Sequence, residues 1–333
     1  MRAEVAKLLA CPSCGGKLEL EVALERDDEV LEGRLTCVGC GASYPIANGI
    51  PRLLPREGPW LKARWVYERV RAYYDAYAPT YDLAYHNPQV AYMRSVEDAC
   101  IMLTRPRGIV LDIGCGPGRQ ALLLAQLGCQ VLAIDISLAM LHEARRRAQA
   151  RGLEDRLELI QASADALPVR PGVLDRAYAL FGTYNHAPFY RRGFRQLFSA
   201  LREGGAALLS VLNRYQLTWW LETIRRFNKR WLRRRLASDM EFITLRRRGL
   251  RGKRKLWTKL FSAWELEEAL RAAGFREVRV GGLLIFMRLR YRYRPWLELR
   301  GPERLAAALE ERLRWTPPFS WLGAYIIALA RKT

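Results

Sequence analysis

The sequence predicts an α/β fold, a doubly wound parallel sheet preceded by a small cysteine-bearing module. Three observations carry this expectation. From Gly108 onward, seven short apolar runs alternate with amphipathic segments of helical length. Short buried strands separated by helices indicate a parallel sheet covered on both faces. Two Cys-x-x-Cys pairs stand in the first 40 residues, before that pattern begins. Long basic stretches then interrupt it after Asn213, which points to insertions rather than to another layer.

Residues 1–57 read as the first domain. Cys11-Pro-Ser-Cys14 and Cys37-Val-Gly-Cys40 flank the strand-like runs Lys17–Leu24 and Val30–Thr36. Four thiolates at this spacing suit a closed tetrahedral site, so Cys11, Cys14, Cys37 and Cys40 are candidate ligands of a structural zinc ion. A module this small buries too little apolar area to fold well without metal. An odd total of seven cysteines argues against a disulfide framework. Pro51–Pro59 reads as a linker, and residues 58–333 as the second domain.

Within that second domain, residues 60–104 look helical and carry many tyrosines. The strands are Ile109–Ile113, Gln130–Ile134, Leu157–Gln161, Ala177–Phe181, Ala206–Leu212, Arg276–Val280 and Ala324–Ala330. Helices are expected at 119–127, 138–150, 192–203 and 263–273. The insertion at about 214–258 reads as mostly helical and basic, and a second at about 285–318 as irregular.

The run Val110-Leu-Asp-Ile-Gly-Cys-Gly-Pro-Gly118 is a strand, a glycine turn and a helix start. Glycines there permit a sharp turn and close approach of a ligand to the main chain. A nicotinamide dinucleotide would want G-x-G-x-x-G. Here the third glycine comes one place early, and Asp112 would repel a pyrophosphate while suiting a cationic sulfonium. The ordered series Leu111–Gly118, Ala133-Ile-Asp135-Ile-Ser, Ala162-Ser-Ala-Asp165-Ala-Leu-Pro168, Leu174-Asp-Arg-Ala-Tyr178 and Leu201-Arg-Glu-Gly-Gly205 resembles the class I S-adenosylmethionine-dependent methyltransferases. The likeness spans about residues 73–213 and 260–333. It implies a mostly parallel, seven-stranded Rossmann-like sheet with an antiparallel last strand, and S-adenosylmethionine as cofactor. By that resemblance Asp112, Gly114, Cys115, Gly116 and Gly118 would shape the methionine side, and Asp135 with Ile136 the ribose side. Ala164 and Asp165 would meet the adenine, Phe181 would close the cleft, and Tyr77, Tyr81 and Asp82 would form its lid.

Methyl transfer from a sulfonium is an in-line displacement, so alignment and exclusion of water matter most. The loop Phe181-Gly-Thr-Tyr-Asn-His-Ala-Pro188 is where the acceptor sits in this family. It lacks the motif of exocyclic-amine methyltransferases, and no Pro-Cys pair offers a nucleophile for pyrimidine C5. Asn185 and His186 are the candidate catalytic residues, able to orient or deprotonate an acceptor. The N-terminal module, through Leu8-Leu-Ala-Cys-Pro and Tyr44-Pro-Ile-Ala-Asn-Gly-Ile50, resembles the small zinc-ribbon family that activates tRNA, rRNA and translation-factor methyltransferases. That likeness implies scaffolding or regulation in cis, not chemistry.

The chain's net charge of +21 is concentrated: residues 214–333 hold 29 basic and 11 acidic side chains, a sum of +18. With interspersed tryptophans, residues 214–300 suit RNA, through phosphate contacts and stacking. The basic helical pattern Trp219–Leu236 equally suits an anionic membrane surface and a lipid or quinone acceptor. A non-catalytic interaction platform is the reading of another class. Neither an apolar leader nor a run of membrane-spanning length is evident, so the expected location is cytoplasmic.

Overall fold

The computed structural model describes residues 1–55, 57–225, 240–245, 254–288 and 293–333. At the N-terminus, β1 (Leu18–Arg26), β2 (Glu29–Cys37), β3 (Ser43–Ala47) and β4 (Ile50–Pro51) form an antiparallel sheet in sequential order. Asp27 and Asp28 join β1 to β2 with φ of +49° and +61°. Two consecutive left-handed residues match the right-handed twist of paired strands, and aspartate tolerates them.

The main sheet contains β5 (Ile109–Ile113), β6 (Gln130–Asp135), β7 (Leu157–Gln161), β8 (Leu174–Ala179), β9 (Leu201–Leu212), β12 (Glu277–Leu283) and β13 (Tyr325–Arg331). Its order is β12-β13-β9-β8-β5-β6-β7, with β13 antiparallel to both neighbours and the other pairs parallel. The seven strands are those the hydrophobic runs anticipate, with ends moved by a few residues. Alternate residues feed two cores. Leu111, Ile113, Leu132 and Ile134 pack beneath α5 (Tyr190–Ala200) and α7 (Ala263–Ala272). Val110, Val131 and Ala133 face α2 (Pro88–Leu103), α3 (Arg119–Gln126) and α4 (Leu138–Gln149). α1 (Arg64–Tyr77) lies across the carboxyl edge of the strands, where Asp75 accepts bonds from Ser137 Oγ and Ala139 N.

The first core also contains Leu9, Leu35 and Tyr44 of the N-terminal module. Its exit strand continues the main sheet. Arg52 bridges Gln161 in parallel, and the Leu53 amide donates to the Gln161 carbonyl at 2.8 Å. The segment expected as a linker therefore covers the open edge of β7, whose amides and carbonyls would otherwise be unpaired.

Two expectations for the insertions are corrected. The first begins with α6 (Leu217–Arg225), but β10 (Met240–Leu245) and β11 (Arg254–Lys259) then pair as an antiparallel hairpin. The many arginines favour a helix by propensity. The Phe-Ile-Thr and Leu-Trp-Thr triplets pair across the strands, and Leu256 is buried among the tyrosines of α1, so tertiary packing decides. The rest of the anticipated helix Trp219–Leu236, beyond Arg225, lies outside the described residues. The second insertion, expected to be irregular, contains α8 (Pro302–Leu313), started by Pro302 at N1. Buried Glu310 on α8 accepts the Leu284 and Ile285 amides at 3.0 and 2.7 Å, which pins the helix to the end of β12.

Candidate active site

At the carboxyl edge, the turn after β5 and the loops after β6, β7 and β8 surround a cleft roofed by α1, with about 680 Å³ of atom-free space open in part to solvent. That is the size range of small-ligand sites. Gly114 and Gly116 form one wall, with φ of +71° and +53°. A Cβ on Gly114 would meet Thr183 Oγ1 at 2.3 Å, whereas one on Gly116 would meet nothing within 4 Å. Gly118, at φ +87°, packs against Ala144 and starts α3. The three glycines therefore serve three needs: contact with the β8 loop, open main chain toward the cleft, and helix packing.

Asp135 ends β6 and lines the cleft while only 9 % exposed. Its carboxylate accepts the Gly116 amide at 2.9 Å and the Ser137 amide at 2.8 Å. Burial nonetheless pushes it up to about 6. Ile136 and Ala164 line the same cleft. Gln161 fixes Ile136 by donating to its carbonyl at 3.0 Å. Phe181 closes the methionine-side end of the cleft with a left-handed φ of +60°. Its amide donates to Ser210 Oγ at 2.7 Å, and Ser210 in turn donates to fully buried Glu97 at 2.6 Å. Cys115 and Tyr81 border that end of the cleft. Burial holds the Cys115 thiol well above its usual range, so it is a small neutral wall residue.

Three sequence-predicted residues sit behind the wall rather than in it. Asp112 is 2 % exposed beneath the glycine turn, and burial raises it to about 7 despite nearby Arg119. Asp165 Oδ2 accepts Tyr67 Oη at 2.6 Å and the Phe189 amide at 2.9 Å, and its Oδ1 accepts Ser163 Oγ. It therefore organises the adenine-side loop instead of facing the cavity. Tyr77 is wholly buried, its ring packed on Tyr73 and Tyr81. Asp82 borders the methionine-side end and pairs with Arg147 at 2.7 Å.

The two candidate catalytic residues separate. Asn185 is fully buried and clamps backbone: it accepts the Leu212 amide at 2.9 Å and donates to the Lys259 carbonyl at 2.5 Å. His186 lines the cleft, and its Nδ1 lies 2.9 Å from the Trp257 carbonyl. A carbonyl only accepts, so Nδ1 carries the proton and Nε2 is the basic nitrogen of the neutral ring. Residues that sequence reasoning missed are Tyr67, Tyr74, Ser163 and Thr183 on the walls, and Arg94. The Arg94 guanidinium lies about 6 Å from the Tyr85 and Phe181 rings, at the methionine-side end. Nothing in the sequence distinguishes it from 46 other arginines.

In the N-terminal module the four sulfurs of Cys11, Cys14, Cys37 and Cys40 lie within 4.8 Å of one another. The Cys11–Cys40 and Cys14–Cys37 separations are 3.7 and 3.5 Å. A tetrahedron with Zn–S bonds of about 2.3 Å has edges of roughly 3.8 Å, so the cluster fits one structural zinc ion. Gly16 lets the sulfurs close, since a Cβ there would stand 3.0 Å from Cys37 Sγ.

Residues 110–205 match the family model described as Methyltransferase domain, and residues 3–49 match that of Trm112p-like protein. This chain belongs to the S-adenosylmethionine-dependent methyltransferases. Its cofactor is S-adenosylmethionine, and its ribbon is of the Trm112p-like kind. The methyltransferase is 30 % identical over 215 residues to the uncharacterized protein MJ1252 of Methanocaldococcus jannaschii, across 64 % of this chain and 78 % of that one. It is 34 % identical over 134 residues to the demethylmenaquinone methyltransferase of Thermus thermophilus, across 38 % of this chain. That match takes in 59 % of the Thermus protein, less than two thirds of its length. The solved DhpI-SAM-HEP complex shares the fold, at 23 % identity and a TM-score of 0.50, over 80 % of this chain and 97 % of that one.

Proposed function

We propose that this methyltransferase methylates a small apolar or aromatic acceptor held in the cleft beneath α1 and β11. The observation that carries this reading is the acceptor side of the cleft: Tyr74, Phe181 and His186 surround it, and His186 is tethered to β11. The likeness to a demethylmenaquinone methyltransferase supports the same acceptor class.

S-adenosylmethionine supplies an electrophilic methyl group on sulfur. Asp135 would hold the ribose hydroxyls, Ile136 and the Ala164 backbone the adenine, and Gly114 and Gly116 the methionine main chain. Arg94 would face the methionine carboxylate. Asp112, Cys115, Gly118, Tyr77, Tyr81 and Asp165 would shape and stiffen these walls. His186 Nε2 would take the acceptor's proton as its lone pair attacks the methyl carbon and the carbon–sulfur bond breaks. Trp257 would hold the imidazole in the tautomer this requires, and Asn185 would fix the loop.

RNA was the first expectation from charge. Thirteen of the 29 basic residues after Asn213 lie outside the described residues, and the cleft itself is walled by rings rather than cations. The test is methyl transfer from labelled S-adenosylmethionine into separated lipid and RNA fractions. Label is expected in the organic phase, and His186→Ala should lower kcat by about 10²–10⁴ with cofactor affinity unchanged. Label in RNA alone would overturn the reading.

A further inference from the structure

Helix α6 is inside out. It leaves the carboxyl end of β9 five residues after Leu212, at the edge that carries the cleft. Its buried side chain is Thr223, at 8 % exposure. Glu222 pairs with Arg288 at 2.5 Å. Leu221 and Ile224, three apart and so on one face, are 57 % and 63 % exposed. A helix that packs on a soluble protein does the reverse, turning its apolar stripe inward.

The surroundings extend the apolar surface. Tyr215 just before α6 has its ring 5.0 Å from that of Trp264, which is 54 % exposed. Asn213 donates to the Trp321 carbonyl, and the Leu217 amide donates to Leu322. This brings Trp321, 39 % exposed, to the same corner. Arg225 ends the helix, and Arg288 stands against its flank. Clustered exposed apolar side chains mark a docking surface.

We infer that this corner docks onto an anionic lipid bilayer. Charge excludes a second copy of the chain, since the region from residue 214 onward carries +18 and would repel itself. Side-chain chemistry separates lipid from nucleic acid. Bases stack on rings, but the outermost groups here include aliphatic Leu221 and Ile224, which gain most from acyl chains, and indoles prefer the headgroup boundary. The inference rests on the proposed small apolar acceptor, because docking beside the cleft would let such an acceptor enter from the bilayer.

The test is sedimentation of the full, zinc-loaded chain with vesicles of phosphatidylcholine alone or mixed with phosphatidylglycerol. The expected result is binding to the mixed vesicles only, weakened by salt. The double variant Leu221→Glu/Ile224→Glu should reduce the partition coefficient by about tenfold or more, with S-adenosylhomocysteine affinity unchanged. That calorimetric control shows that the variant is folded. Absence of wild-type binding to anionic vesicles overturns the inference, as does binding that the double variant retains in full. Methyl transfer to an apolar acceptor presented in detergent reads the proposed chemistry separately, so failure of one claim is distinguishable from failure of the other.

Discussion

Asp135 and Asp112 show how one site uses two buried carboxylates differently. Asp135 lies in the cleft and knits the glycine turn to the start of α4 through two main-chain amides. Asp135→Ala leaves both amides unpaired and removes the ribose acceptor. Charged hydrogen bonds contribute about 1.5–3 kcal/mol, so cofactor affinity should fall by about one to two powers of ten. Asp112 acts from beneath. Burial lifts it from 3.8 to about 7, so between roughly pH 4 and pH 7 the folded chain holds a proton that the unfolded chain has released. Its contribution to stability is therefore greatest in acid and falls as pH rises through that window. Asp112→Asn keeps the shape and removes the titration. The melting temperature of the variant relative to wild type should rise from pH 5 to pH 8 in calorimetric scans of the cofactor-free protein. A difference independent of pH would mean that Asp112 does not titrate there.

Among the elements, the glycine turn separates packing from ligand access. Gly114→Ala drives a methyl group into Thr183, which donates to the Ile113 carbonyl at 3.0 Å, so both fold and site should suffer, by about 2 kcal/mol or more. Gly116→Ala meets open space and pays only left-handed strain of about 1 kcal/mol. It should melt within a few degrees of wild type yet bind cofactor more weakly. This turn, Asp135 and the cysteine pairs were legible because glycine, a strand-end carboxylate and paired thiols each announce a local requirement. The β10–β11 hairpin was not. Its arginines read as helical, and what makes it a pair of strands is the fit of Leu256 against Tyr67 and Tyr73, which lie nearly 200 residues earlier. The burial of Asp112 and Asp165 was hidden for the same reason. A motif names the residue but not which face of the loop its side chain takes.

On the scale of the whole molecule, the ribbon and the methyltransferase sheet share one core and one sheet edge. Arg2 pairs with Glu158 on β7 at 2.7 Å, and Ala10 donates to the Pro168 carbonyl at 3.1 Å. Metal loss should therefore not unfold the ribbon alone. Cys37→Ser, or chelation, is expected to lower the melting temperature of the entire chain as a single transition, with zinc content read by atomic absorption. Two separate transitions would mean that the units fold independently. Among the described residues no helix is long and apolar enough to cross a membrane, so contact with a bilayer, if vesicle binding bears it out, is made at the surface. The central claim is that one S-adenosylmethionine site lies between the Gly114–Gly118 turn and α1, with Asp135 as its anchor. Calorimetric titration of S-adenosylhomocysteine into zinc-loaded wild type and Asp135→Ala tests it most directly. The account predicts one cofactor per chain and an affinity at least about tenfold weaker in the variant; saturable binding that Asp135→Ala leaves unchanged, or no binding to wild type, would contradict it.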